Sequence, residues 1–307
     1  MSGVLDSVNQ RTQLVGQNRL ELLLFRLNGR QRFGINVFKV REVLQCPPLT
    51  SIPKLNSLVR GVAHIRGQTI SVIDLSMATG GRRIEDLSTA FIVIAEYNRS
   101  VQGFLVGAVE RIINTNWDAI MPPPEGTGKA SYLTAVTEVE KELVEILDVE
   151  KILNEISPLD TSVSAEVVSK IDTTSVEDKI IFIADDSSVA RSQVKKALTT
   201  LGLHIEVAKN GLEALNRLKE IAAETGDVTD KVGVLVSDIE MPEMDGYTLT
   251  AEIKNTPELQ KLRVVLHTSL SGVFNQAMVK KVGADDFIAK FHPDELATSV
   301  QRWLVGE

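Results

Sequence analysis

Between Ile180 and Leu304 the chain alternates short apolar strands with amphipathic helices, and no other feature of it restricts the fold so tightly. Strands are expected at Ile180–Ala184, Ile205–Ala208, Val232–Ser237, Val264–His267 and Phe287–Ala289. Helices are expected at Ser188–Leu201, Leu212–Ala223, Tyr247–Lys254, Phe274–Val282 and Asp294–Leu304. Strands this apolar must be covered on both faces, which a repeated strand–helix unit achieves as a parallel sheet between two helical layers. Ligands of such sheets bind beyond the carboxyl ends of the strands. Chemistry-bearing residues fall at those ends: Asp185 and Asp186 after the first strand, Asp238 after the third, Thr268 at the fourth and Lys290 after the fifth.

Three carboxylates gathered at one rim repel one another. A hard divalent cation such as Mg²⁺ resolves this, because it takes oxygen ligands and keeps room for water and phosphate oxygens. An aspartate can also act as a nucleophile and form an acyl phosphate, with Lys290 and Thr268 holding the phosphoryl oxygens. Each residue alone has an ordinary reading, since Asp185-Asp186-Ser187-Ser188 suits a helix N-terminus. Their coincidence at one end of one sheet is what favours a site. The stretch LVSDIEMPEMDG, in which Pro242 rules out helix and Asp245-Gly246 closes the loop, marks its centre. Met241 and Met244 there read as packing residues.

The first half differs in kind. Leu23, Phe25 and Leu27 alternate with other residues, Asn28-Gly29 suits a two-residue turn, and Phe33, Ile35 and Val37 resume the alternation, which predicts a hairpin. Further strands are expected at 61–65, 69–75, 91–97, 101–106, 132–139 and 143–147, with tight turns at Asn98-Arg99 and Glu140-Lys141. Many short strands at such spacing predict a sandwich or barrel. Residues 1–153 carry 17 Lys+Arg against 16 Asp+Glu, and the remainder 16 against 25, which disfavours nucleic acid as a partner of the acidic half. The polar stretch Asn154–Lys179 reads as a linker, with a helical end to the first domain. The expected division is a leader at 1–19, a β domain at 20–156, a linker at 157–178 and an α/β domain at 179–307.

No apolar run is long enough to span a bilayer, and the N-terminus lacks the pattern of a signal peptide. Cys46 is the sole cysteine, so no disulfide framework exists, and a cytoplasmic setting is expected. GTGKA, Gly126 to Ala130, superficially suggests a phosphate-binding loop. It lacks the required Gly at Pro123 and the Ser or Thr at Ala130, and it follows a Pro-rich loop rather than a strand.

FIADDSS, SDIEMPEMDG, LHTS and FIAK, in this order, resemble the response-regulator receiver domain from Asp178 onward. The resemblance implies that Asp238 accepts phosphate from a histidine kinase. It also implies that Asp185, Asp186, Asp238 and the Glu240 backbone carbonyl bind Mg²⁺, with Thr268 and Phe287 as a switch pair. Phe291 stands where the family usually has Pro, often after a cis bond; such a bond before a non-proline residue costs about 3 kcal/mol, so a different loop is expected. Glu224–Lys231, after the second helix, also looks longer than usual.

LLLFRLNGRQRFGINVFKVREVL, LVRGVAHIRGQTISVIDL and ELVEILDVEKIL resemble the CheW-like domain of bacterial chemotaxis over roughly Leu20 to Leu153. That family implies two five-stranded barrels docking on chemoreceptors and on the kinase CheA, with Val40, Glu42 and Arg66 at the contacts. Both halves in this order resemble CheV-type chemotaxis coupling proteins. The expected fold is an all-β CheW-like double barrel followed by a flavodoxin-like (βα)5 doubly wound parallel sheet. The function implied is a scaffold linking chemoreceptors to the kinase, modulated by phosphoryl transfer to Asp238. It would be no turnover enzyme, and it would cluster at membrane-bound receptor arrays without inserting into the bilayer. The alternative is a phosphate sink that drains the kinase, localised by its first domain.

Overall fold

The computed structural model describes residues 19–54, 56–97, 100–123, 132–158, 160–268 and 279–306. The leader up to Asn18, the Asn98-Arg99 turn, GTGKA and the first part of the helix expected from Phe274 lie outside them. Contacts group residues 19–159 into one compact unit and residues 160–307 into another.

The first unit is built from ten strands: β1 (Arg19–Arg26), β2 (Arg32–Asn36), β3 (Val40–Gln45), β4 (Val59–Ile65), β5 (Gln68–Asp74), β6 (Phe91–Tyr97), β7 (Ser100–Val106), β8 (Ala108–Asn116), β9 (Leu133–Val139) and β10 (Glu142–Leu147). They form two five-stranded sheets, in the orders β8-β1-β2-β10-β9 and β3-β6-β7-β5-β4. Among the described residues each sheet is closed on itself by one bridge. Thr50, beyond β3, exchanges two 2.9 Å backbone bonds with Val62 of β4. Met121, beyond β8, bridges Val136 of β9 in the same way. The two expected barrels are therefore real closures, and closure removes the open edges that invite association. Gly61 makes the first closure possible, because a Cβ there would lie 2.6 Å from the Thr50 carbonyl oxygen.

β1 is the axis of the packing. Leu23 and Phe25 join one core with Ile35, Phe104 and Val106, while Leu22 and Leu24 join another with Val144 and Ile146. A strand apolar on both faces is the consequence of being buried on both. Its hairpin to β2 pairs Phe25 with Phe33, but the connection runs from Leu27 to Gln31 and is not the two-residue turn expected at Asn28-Gly29. The Asn28 side chain is used elsewhere, donating to Ser76 Oγ and to the Arg82 carbonyl.

Two strands were not expected. β8 is rich in polar residues and exposes Ile112, so its apolar alternation is broken. β3 mixes half-buried and exposed residues without a clean period. Helix α1 (Leu75–Ala78) follows β5 and is capped by Asp74, whose fully buried carboxylate accepts from the N–H groups of Ser76, Met77 and Ile84. Helix α2 (Val149–Ile156) closes the unit, and its buried Glu150 pairs with Lys39 at 2.5 Å.

The second unit carries strands β11 (Ile180–Ala184), β12 (His204–Ala208), β13 (Val232–Ser237), β14 (Arg263–Thr268) and β15 (Asp286–Ala289), all parallel in the order β12-β11-β13-β14-β15. Short helix α3 (Ala165–Val168) precedes them; α4 (Ser188–Leu198), α5 (Gly211–Thr225), α6 (Gly246–Asn255) and α7 (Pro293–Val305) intervene and follow. Every residue of β11 is buried. Phe182, Leu235 and Leu266 face a core with α5 and α6, while Ile183, Val236 and Val265 face one with α4 and α7. Sheet twist and the parallel strand order thus bring the ends of β11, β13, β14 and β15 side by side.

Residues 160–178, whose composition reads as a linker, pack on this second unit. Ile171 and Val176 join the core of α4 and α7, and the Thr173 hydroxyl donates to the Leu201 carbonyl at 2.9 Å.

Candidate functional site

Asp238 directly follows β13, and its main-chain N–H donates to the Ala184 carbonyl at the end of β11 (2.7 Å), so the ends of the two strands are stitched together. Asp185 is tied to the next strand by a bond from its N–H to the Ala208 carbonyl. Lys290 donates its main-chain N–H to the Thr268 carbonyl at 2.7 Å, joining the ends of β15 and β14. Backbone pairing alone therefore fixes four of the expected residues on one rim.

The side chains then converge. Lys290 Nζ lies 2.7 Å from Asp185 Oδ2 and 2.8 Å from Asp238 Oδ2, and all three residues are buried. Oxygens of Asp185, Asp186 and Asp238 lie within 4.8 Å of one another. The remaining oxygens of the two buried carboxylates are also held: Asp238 Oδ1 accepts from the Ile239 N–H at 2.7 Å, and Asp185 Oδ1 from the Ser187 N–H at 2.9 Å. Buried charge is tolerable only when paired and hydrogen-bonded, and here one ammonium serves two carboxylates. The donor set consists of hard oxygens, which fits Mg²⁺.

Local sequence explains the precision. Ser187 caps α4 by accepting from the Ala190 N–H, which holds Asp185-Asp186 just ahead of the helix. Arg191, one turn into α4, donates to the Asp185 carbonyl at 2.5 Å. The loop after Asp238 ends where Asp245 caps α6, accepting from the Thr248 N–H at 2.8 Å. Gly246 then donates its N–H to the Ile239 carbonyl at 2.9 Å, so the loop folds back on the strand end. Met241 is buried in the core, consistent with a packing role. The sequence does not single out Arg191 or Gly246 as positioning residues; Arg191 gives no signal beyond its helical spacing, whereas Asp-Gly closing an acidic loop does.

Glu240 lies half-buried in the loop two residues past Asp238. Thr268 is fully buried, and Phe287 pairs with Leu266 in the β14–β15 register. The period-2 alternation of strands puts Phe287 on the same face as Thr268, one diagonal step away, half-buried against the core. On the opposite face His267 is wholly buried, and its ring stacks edge-on to Phe291 at 5.7 Å. Burial, helped by the nearby Lys290 and His292, holds its protonation well below the usual histidine range. The loop beyond Lys290 is not altered in the way its sequence suggests: Lys290–Phe291 is a cis peptide.

In the first unit Val40 is half-buried against the core, at the start of β3. Glu42 and Arg66 meet as a two-point ion pair, with Arg66 Nε and Nη2 at 2.9 and 2.6 Å from the carboxylate. They come from β3 and from the β4–β5 turn, so the pair spans the seam where the barrel closes. Arg66 and Gly67 hold positive φ angles of 49° and 81°, as a tight hairpin turn requires.

Residues 21–157 match the model of the CheW-like domain, and residues 181–301 that of the response regulator receiver domain. A CheW-like coupling domain followed by a receiver is the class this fold defines. The chain is 30% identical to the chemotaxis protein CheV1 of Helicobacter pylori over 99% of both chains, and 29% identical to CheV3 of that organism over 94% of this chain and 95% of that one. It is also 28% identical to a probable chemotaxis protein CheW of Rhizobium etli, over 46% of this chain and 92% of that one. The chain belongs to the CheV family of chemotaxis proteins.

Proposed function

We propose that this protein links chemoreceptors to the histidine kinase CheA through its CheW-like domain, and that phosphoryl transfer from the kinase to Asp238 adjusts the link. Chemotaxis coupling with receiver control follows from the family. The observation that carries the residue assignment is the shared grip of Lys290 on Asp185 and Asp238 at one buried rim.

An Asp238 carboxylate oxygen attacks the phosphorus of the kinase's phosphohistidine. The O–P bond forms as the P–N bond breaks, and the imidazole nitrogen leaves with the electron pair and takes a proton from solvent. Asp185, Asp186, Asp238 and the Glu240 carbonyl would hold Mg²⁺, which offsets the charge on the phosphoryl oxygens. Lys290 offsets part of the charge of the two buried carboxylates before transfer and pairs with the phosphoryl group after it. The Thr268 hydroxyl turns toward the new acceptor, and Phe287, its neighbour on the same face, fills the space released. Asp238 reacts once per cycle and returns by hydrolysis, so the chain is a scaffold rather than a turnover enzyme on an external substrate.

Among the described residues no helix is long and apolar enough to cross a membrane. Recruitment to receptor arrays then rests on protein docking, for which Val40, Glu42 and Arg66 around the barrel seam are the proposed contacts.

The test is label transfer from phosphorylated kinase in the presence of Mg²⁺. Transfer is expected to wild type and to be lost in Asp238→Asn and in EDTA; transfer that survives either control refutes the assignment. A receptor–kinase assay then compares wild type with Asp238→Asn. Kinase output that follows phosphate competition alone would establish a phosphate sink in place of coupling.

A further inference from the structure

The chain that joins the coupling domain to the receiver does not enter the second unit at an arbitrary point. Near its start Thr161 is buried, and the N–H of Ser164 donates to Asp294 Oδ1 at 2.7 Å. Asp294 sits in the first turn of α7, four residues beyond Lys290. From there the segment runs beside α7 in the same direction: six residues on, the Lys170 carbonyl accepts from Gln301 Nε2 at 3.3 Å. Ile171 and Val176 then pack with Leu198, Leu201, Val300 and Trp303, and Lys179 anchors to the carbonyls of Thr229 and Asp230 just before β11.

Because α7 follows β15, its N-terminus lies at the same rim as the acidic site. The two ends of this segment are therefore held differently. Its C-terminal part is fixed by apolar burial and several hydrogen bonds. Its N-terminal part, which leads back to the coupling domain, has Thr161 buried and is held to α7 by a charge-assisted bond to a residue a few positions from Lys290. Charge-assisted bonds of this kind to a backbone N–H are worth more than neutral ones, and the Ser164–Asp294 bond, exposed to solvent, is the hydrogen bond that ties this end of the segment to α7.

We infer that the groove between α4 and α7 is the receiver's output surface in this chain, that its partner is the chain's own segment 160–178, and that phosphorylation acts on the coupling domain by loosening the Ser164–Asp294 tie. This inference rests on Asp238 being the phosphoacceptor. When Lys290 turns from the two carboxylates toward a phosphoryl group, the short stretch Phe291–Pro293 carries the change to the first turn of α7. The helix body stays seated in its core, so the displacement is felt where Asp294 holds Ser164.

Hydrogen–deuterium exchange on the full chain tests this, with beryllofluoride and Mg²⁺ as the phosphoryl mimic. The mimic is expected to speed exchange of the amides at 164–168 several-fold while those at 180–184 stay slow. Asp294→Ala is expected to give the fast exchange at 164–168 in both states, with protection of the Asp238 loop by the mimic retained. Asp294→Asn, which keeps an acceptor, should lie between. If the mimic protects the Asp238 loop and leaves exchange at 164–168 unchanged, the inference fails and the site assignment stands. If the Asp238 loop does not respond at all, both fail.

Discussion

A Cβ placed on Gly246 would lie 2.1 Å from the carbonyl oxygen of Asp238. No side chain fits there, so the helix that follows the acidic loop can approach the strand end only because position 246 is glycine. The approach fixes the Asp238 main chain, and through it the carboxylate.

Gly246→Ala must push α6 away from β13. Overpacking of this sort costs about 1–3 kcal/mol, and here the displaced atoms are backbone, which places the expected loss toward the upper end. Urea unfolding gives the stability, and label transfer from phosphorylated kinase should fall in parallel even where the protein remains folded.

Lys290→Met removes the cation that two buried carboxylates share. Breaking a buried pair by deleting one partner costs about 3–5 kcal/mol, because the other charge is left without compensation. Since a divalent cation supplies the missing charge, the variant's melting temperature should rise more with added Mg²⁺ than the wild type's does. Thermal scans with and without Mg²⁺ read this directly; equal rises would show that the ion does not replace the charge of Lys290, and no rise in either protein that the three carboxylates do not bind it.

His267 predicts a pH dependence. Its folded-state protonation is pushed well below the ordinary value by burial, whereas in the unfolded chain it titrates near 6.5. As pH falls below that value the unfolded state takes up a proton that the folded state refuses. Stability present at neutral pH is therefore lost toward acid, with a slope of about 1.4 kcal/mol per pH unit from this group. His267→Leu should flatten that part of the profile in urea titrations between neutral and mildly acidic pH.

Asp74 carries the opposite kind of prediction, one confined to the first unit. Its carboxylate satisfies three backbone donors, and Arg60 Nε stands 3.9 Å away. Asp74→Ala leaves those three donors without their acceptor and removes the carboxylate charge beside Arg60, a loss of about 3 kcal/mol or more. Receptor docking should be lost while label transfer to the receiver persists.

Glu42 and Arg66 separate docking from stability. The Arg66 side chain is 80% exposed, so the pair contributes about 1 kcal/mol at most. Exchanging the two residues, Glu42→Arg with Arg66→Glu, should leave the melting temperature nearly unchanged and weaken co-sedimentation with receptor–kinase complexes. Undiminished binding would move the docking surface elsewhere.

The receiver was readable because its chemistry sits at strand ends, where an apolar run stops at Asp185, Asp238 or Lys290 and the topology does the rest. The β domain was less so. β8 hides because its inward residues alternate with Glu110, Arg111 and Asn114, and exposed Ile112 breaks the period. The contact of Glu42 with Arg66 joins the two ends of the order β3-β6-β7-β5-β4, and no local pattern reports that a sheet curls until its ends meet. Asn28-Gly29 misled because the Asn28 amide serves Ser76, some fifty positions away. Residues 160–178 read as a linker because only Ile171 and Val176 among them anchor the segment to a core.

Among the described residues one backbone bridge closes each barrel, Thr50 with Val62 and Met121 with Val136, while neighbouring strands elsewhere are zipped over several. A short closure of this kind is a latch of two backbone bonds, backed by side chains that cross the same line: Arg66 with Glu42 at the first, and the Thr137 hydroxyl donating to the Ala119 carbonyl at the second. The β domain therefore meets itself along one narrow line per barrel, and the first of those lines passes beside Glu42 and Arg66.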